Sequence, residues 1–153
     1  MTIESIQNVG FIGLGRMGTS IANNILKSGF NLVVYNRTSE KSRALVEAGA
    51  ISASSPKEAA AKSDVLLTSL RDDRVLLDVV SGEEGILSGL QPNRIHIGTS
   101  TISPSLSTRL AEMHYSQGCS YLLFIFSCSC IRKSYSCSIS QAYYVCSRSS
   151  RGY

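Results

Sequence analysis

The sequence of 153 residues has no tryptophan, three prolines and two histidines. It holds no run of about 18 apolar residues, the length a helix needs to cross a bilayer. Its most apolar stretch, residues 121–126 (YLLFIF), is far too short for that. No Gly-X-Y or heptad period appears, which excludes fibrous classes. No basic segment followed by an apolar core opens the chain, so no secretory leader and a cytoplasmic location are expected. Charged residues are only 17% and hydrophobic residues 43% of the chain, too apolar a balance for a disordered polypeptide.

Two further absences divide the chain. Residues 1–118 contain no cysteine, which fits a reducing compartment. Residues 119–153 contain no acidic residue and a single glycine. All five cysteines (Cys119, Cys128, Cys130, Cys137, Cys146) and the whole net charge of +4 fall in this last segment. Residues 1–118 carry 11 basic and 11 acidic residues and are neutral. The four cations of the tail, Arg132, Lys133, Arg148 and Arg151, are scattered among ten serines. They form no basic face, so no nucleic-acid partner is expected. The tail has no CxxC and no histidine to complete a zinc set, so no metal is expected there. The seam lies near 119–122. A domain over 1–122 and an irregular Ser/Cys-rich tail over 123–153 are expected, with no membrane partner.

What is present in the first 118 residues is an alternation of two periods. Asn8–Ile12 and Asn31–Tyr35 are short apolar runs that read as buried strands, and residues 64–69 (DVLLTS) and 94–97 are two more. Between the first two, Met17, Ile21 and Ile25 recur every four residues, one helical face, and Gly29 follows as a stop. A helix from Ser39, as N-cap, to about Ala48 is predicted, closed by Gly49. Ser55-Pro56 and Ser103-Pro104 each pair an N-cap with a proline at the first helical position. The second opens a helix with Leu106, Leu110 and Met113 on one side, which places His114 on its outer face. Residues 72–80 read as a further helix, and His96 lies inside a strand as a structural residue. Strands alternating with helices, each strand a continuous apolar run, predict an α/β fold: a doubly wound parallel sheet in a single domain.

The stretch Gly13-Leu14-Gly15-Arg16-Met17-Gly18 is G-x-G-x-x-G, placed where the first strand ends and the first helix begins. In that context Gly13 permits the tight turn, Gly15 lets backbone approach a pyrophosphate, and Gly18 lets the helix pack on the strand. The helix N-terminus offers free N–H groups to the phosphates. This predicts a Rossmann-type dinucleotide site. The second strand ends in Tyr35-Asn36-Arg37-Thr38-Ser39, without the carboxylate that would bind the ribose 2′-OH of NAD. Asn36 would not repel a 2′-phosphate, Arg37 can pair with it through two N–H bonds, and Thr38, Ser39 and Lys41 add donors. NADP is therefore predicted over NAD. A third cluster, Thr99-Ser100-Thr101-Ile102-Ser103-Pro104, follows the strand at 94–97. Its hydroxyls either face the nicotinamide or only cap the helix; spacing alone leaves both open.

Taken together, FIGLGRMG at 11–18, YNRT at 35–38 and STISP at 100–104 resemble the β-hydroxyacid dehydrogenase family. That family includes 3-hydroxyisobutyrate dehydrogenases and glyoxylate/succinic semialdehyde reductases and is related to 6-phosphogluconate dehydrogenase. GCSYL at 118–122 is similar to the start of its next strand. The resemblance implies a hydride-transferring oxidoreductase acting on small 3-hydroxy acids or short aldehydes. It implies that residues 13–18 hold the pyrophosphate, that Asn36, Arg37 and Thr38 hold the ribose phosphate, and that Leu70 and Thr101 contact the cofactor.

The sequence departs from the family pattern at Gly98, where the family usually has Asp, and at Arg71, where it often has Pro. After Leu122 the substrate-holding segment and the helical domain with the catalytic lysine are replaced by LFIFSCSCIRKSYSCS. Lys27, Lys41, Lys57 and Lys62 fall away from the nicotinamide in the family pattern, and Lys133 belongs to the unmatched tail. The chain is therefore expected to bind cofactor but to be catalytically incomplete, the change near 122 arising from a frame change, retained intron or mispredicted gene model. A small-molecule substrate would then need a second domain, and the apolar surface that domain would cover favours self-association. The alternative is a non-catalytic dinucleotide-binding or interaction module with a tail of its own.

Overall fold

The computed structural model describes residues 6–124. The tail and its cysteines 128, 130, 137 and 146, with Lys133, lie outside the described residues. Six strands form one sheet: β1 (Asn8–Ile12), β2 (Asn31–Tyr35), β3 (Ile51–Ser52), β4 (Val65–Thr68), β5 (Ile95–Gly98) and β6 (Ser120–Leu123). All pairings are parallel, and the order across the sheet is β3-β2-β1-β4-β5-β6. The chain runs outward from β1 to β3, then returns to lay β4 against the free side of β1. This puts the switch point between β1 and β4, the crevice where such sheets take ligands.

Helices cover both faces: α1 (Arg16–Lys27), α2 (Arg43–Glu47), α3 (Pro56–Ala61), α4 (Asp73–Ser81), α5 (Ile86–Gly89) and α6 (Pro104–Tyr115). Alternation along β1 sends Phe11 to one face and Ile12 to the other. Phe11, Leu32 and Val34 pack with Ala22 of α1 and Leu45 of α2. Ile12, Val33 and Leu66 pack with Leu76 and Val80 of α4 and Leu110 of α6. Both faces are buried, so the strands are apolar throughout rather than alternating. Each such Leu or Phe contributes roughly 1.5–3 kcal/mol by leaving water.

Local signals set most helix starts. Ser55 accepts from the Glu58 N–H at 3.2 Å with Pro56 at the first position. Ser103 accepts from Leu106 N–H at 3.3 Å with Pro104 beside it. Asp72 caps α4 by accepting from Val75 N–H at 3.0 Å. Each cap is worth about 1 kcal/mol. α1 and α6 stop at Gly29 and Gly118, both at positive φ.

Three expectations are corrected. Ser39 is not an N-cap: residues 39–42 form a 3-10 turn that leads into α2, and Ser42 Oγ donates to Ser39 O at 2.6 Å. Met17 is 52% exposed; the buried face of α1 is Gly18 and Ala22, flanked by Ile21 and Ile25, because the helix lies close to the sheet only where its side chains are small. His114 is fully buried rather than on the outer face of α6, whose inward stripe is Leu106, Ser107, Leu110, Ala111 and His114. α5 is a four-residue helix, too short to show a period.

At the amino edge of the sheet Asp64 acts as a clamp. Its carboxylate accepts from the N–H groups of Gln7 and Asn8 at 3.1 and 2.9 Å and pairs with Arg94. Burial by itself would raise the Asp64 pKa, but the N–H donors of Asn8 and Gln7 and the Arg94 charge outweigh it and hold the carboxyl below its usual range. This joins the entries to β1, β4 and β5, and leaves the opposite, carboxyl edge to the loops.

Candidate functional site

Because every strand runs the same way, the segments after β1, β2, β4 and β5 gather at one edge. Backbone hydrogen bonds lock them there. Gly13 N–H donates to Tyr35 O at 3.1 Å, Ser69 N–H to Ile12 O at 2.9 Å, and Thr99 N–H to Thr68 O at 2.9 Å.

The glycine turn is built as the sequence requires. Gly13 has φ +98°, and a Cβ there would overlap Ser69 O. A Cβ on Gly18 would overlap Gly13 O and crowd Phe11 at 3.1 Å, so this glycine sets the distance of α1 from β1. Gly15 is different: it is exposed, and among the described residues a Cβ there would meet nothing within 4 Å. Packing among the described residues does not require glycine at 15; the space beside it is one a ligand could use to approach the backbone.

Gly15 is the N-cap of α1 and offers no side chain to cap it, and the first turn holds no acidic residue. The first helical bond runs from Thr19 N–H to Gly15 O at 2.9 Å. The N–H groups of Arg16, Met17 and Gly18 therefore find no acceptor among the described residues, at the positive end of a twelve-residue helix. Leu14, Gly15, Arg16, Thr19, Ser20 and Lys41 line an open depression of about 570 Å³ over this point. Missing side chain, uncapped donors and basic rim fit a bound pyrophosphate.

The end of β2 meets this turn. Asn36 Oδ1 accepts from Leu14 N–H at 2.9 Å, and Asn36 Nδ2 donates to Thr38 O at 2.9 Å. Asn36 thus ties the glycine turn to the loop that carries Arg37. Arg37, Thr38 and Ser39 are exposed, and Arg37 makes no ion pair among the described residues. Lys57 and Lys62 are paired with Glu84 and Glu58.

On the other side of the crevice Ser100, buried, accepts from Leu70 N–H at 2.8 Å, and Thr99 Oγ1 donates to Thr68 O at 2.9 Å. These bonds hold the segments after β4 and β5 together. Thr101 is exposed at the tip, while Ser103 both caps α6 and donates to Asp73. The Thr99–Ser103 hydroxyls thus divide: Thr99, Ser100 and Ser103 hold structure, and Thr101 is left facing out. The anchoring role of Ser100 was not apparent from spacing. Arg71 pairs with Asp72 at 3.1 Å. Gly98 fits because Tyr121 fills the space beside it: a Cβ there would come within 2.5 Å of the Tyr121 hydroxyl. Among the described residues no cluster of metal-ligating side chains occurs, and no helix is long and apolar enough to cross a membrane.

A parallel sheet in this order, with an uncapped glycine turn at its switch point, defines a dinucleotide-binding domain of the Rossmann class. Residues 8–124 match the family described as the NAD binding domain of 6-phosphogluconate dehydrogenase, and the chain belongs to that family. It is 46% identical over 114 residues to the uncharacterized oxidoreductase YfjR of Bacillus subtilis, covering 74% of this chain and 40% of that protein. It is 37% identical over 113 residues to the probable mitochondrial 3-hydroxyisobutyrate dehydrogenase of Dictyostelium discoideum, covering 74% and 35%. Among solved structures, an imine reductase from Myxococcus stipitatus in complex with NADP+ superposes with a TM-score of 0.73 at 26% identity, covering 78% of this chain and 41% of that one. The chain therefore spans well under half the length of these relatives, and the part it shares with them is the NAD(P)-binding domain of dehydrogenases and reductases.

Proposed function

We propose that this domain binds NADP(H) in preference to NAD(H), as the dinucleotide half of an oxidoreductase acting on a small 3-hydroxy acid or a short aldehyde such as glyoxylate or succinic semialdehyde. The observation that carries the preference is the end of β2: no carboxylate stands there, Asn36 is spent on Leu14 and Thr38, and Arg37 is exposed without an ion pair among the described residues. The N–H groups of Arg16, Met17 and Gly18 would receive the pyrophosphate. Arg37, with Thr38 and Lys41, would receive the 2′-phosphate. Leu70 and Thr101 would line the nicotinamide end, held in place by Ser100. When bound, the reduced nicotinamide supplies a hydride. The carbonyl that accepts it needs a proton from a donor about 2.6–3.2 Å away. We read that donor as supplied from outside this domain, which makes the domain catalytically incomplete by itself. The solved imine reductase complex with NADP+ supports the cofactor reading.

The test is a titration of the full chain with NADPH and NADH, as wild type and as Arg37→Ala. A charge-assisted hydrogen bond is worth roughly 1.5–3 kcal/mol, so the variant should lose about ten- to a hundredfold in NADPH affinity and little for NADH. Equal losses for both nucleotides would remove the assignment of Arg37, and no binding of either would remove the function.

A further inference from the structure

Behind the turn that carries Ser100 lies a continuous hydrogen-bonded chain through the core, on the face of the sheet away from α1. Thr68 Oγ1 lies 2.9 Å from His96 Nε2, His96 Nδ1 lies 2.9 Å from His114 Nε2, and His114 Nδ1 lies 2.7 Å from Leu110 O. Both imidazoles are fully buried, and Tyr121 packs on each of them, with ring centroids at 5.0 and 5.2 Å.

The partners fix the protons. Leu110 O can only accept, so His114 donates from Nδ1. Neutral His114 then accepts at Nε2, so His96 donates from Nδ1. His96 accepts at Nε2, so the Thr68 hydroxyl donates to it. With both rings neutral the chain has one consistent direction, and both rings are the Nδ1–H tautomer. A proton added to His114 Nε2 meets the His96 N–H head-on. Moving the His96 proton from Nδ1 to Nε2 relieves this only by reversing the bond to Thr68, whose oxygen then accepts while its own O–H loses that acceptor, and it leaves one charge buried on the pair. A second proton has no place at all.

We propose that the His96–His114 pair is an acid-sensitive latch: it holds α6, β5 and β6 together while neutral and releases them, with the Thr99–Ser103 turn, when protonated. The groups facing the pair are Thr68 from β4, the Leu110 carbonyl from α6, and Tyr121 from β6. Cys119, just before β6, is a buried thiol whose N–H donates to the His114 carbonyl at 2.9 Å. Among the described residues no carboxylate acts on either ring to compensate an added charge. Burial, and for His96 also the charge His114 would carry, holds the His96 pKa well below its ordinary value; burial lowers that of His114 as well. The sign follows: the opened state takes up protons below about pH 6.5 that the closed state refuses. The contribution of the latch is therefore complete above that pH and is lost as pH falls towards the depressed values. The latch does not rest on the function proposed above.

The experiment uses the full chain with labelled histidines. Nitrogen chemical shifts should show both rings as neutral Nδ1–H tautomers, with no titration near pH 6.5 while the spectrum stays native. Amide exchange, corrected for its intrinsic pH dependence, should report opening of α6, β5 and β6. That opening constant should rise by up to about 30-fold per histidine between pH 7.5 and 5, ahead of α1, β1 and β2. The His96→Gln/His114→Gln double variant, if it folds, should lose this pH dependence. A ring that titrates near 6.5 in the native state, an Nε2–H tautomer on either, or acid opening that begins equally in α1 and β1 would overturn the proposal. A chain that shows the latch but binds no nucleotide would instead overturn the proposed function alone.

Discussion

The side-chain oxygen of Asn36 accepts the backbone N–H of Leu14 across 22 residues of sequence, at 2.9 Å. One amide thus ties the glycine turn to the loop that carries Arg37.

Two substitutions separate the roles of Asn36. Asn36→Ala removes the tie and should lower stability by about 1 kcal/mol while weakening NADPH and NADH alike. Asn36→Asp keeps an acceptor for Leu14, gives up the donor to Thr38 O and brings a negative charge beside Arg37, so it should weaken NADPH several-fold more than NADH. Urea denaturation together with nucleotide titration of both variants gives the comparison; identical selectivity in the two would show that the residue acts through loop position alone.

How much of this could be read from residue order alone differs from place to place. The glycine turn, the strands at 8–12 and 31–35, and the caps at Ser55 and Ser103 were legible because they depend on neighbours within about four residues. His114 is less so, although the signal is present: Leu106, Leu110 and His114 stand at strict spacings of four, and the apolar Met113 beside them competes with the polar member of that stripe for the inward position. Met17 misled in the opposite sense, since its apolar character suggested burial where contact with the sheet is made by Gly18 and Ala22. Ser100 and Asn36 act on Leu70 and Leu14, 30 and 22 residues away, and no local pattern encodes such a bond.

The glycines at 15 and 18 should part company under the same change. Gly15→Ala puts a methyl into space that no atom of the described residues occupies, so folding should be near wild type while nucleotide affinity falls by about tenfold or more. Gly18→Ala drives its methyl into Gly13 O and should cost roughly 1–3 kcal/mol, as overpacking does. Thermal unfolding with and without NADPH distinguishes them. Should Gly15→Ala bind as tightly as wild type, the pyrophosphate would have to lie elsewhere.

Tyr121 and Gly98 share one space. The Tyr121 hydroxyl is buried without a hydrogen-bond partner among the described residues, and burial raises its pKa. Tyr121→Phe should therefore be neutral or stabilising, by up to about 1–3 kcal/mol. Gly98→Ala should be destabilising in the native background and less so when combined with Tyr121→Phe, since the 2.5 Å approach to the hydroxyl is then removed. A double-mutant cycle in denaturant measures the coupling; strict additivity would mean that the strand shifts instead of the side chain.

The clamp at Asp64 stands at the far end of the strands from the glycine turn. The entries to β1, β4 and β5 are consequently held by groups remote from the glycine turn, so that end of the domain can be reinforced without retuning the loops.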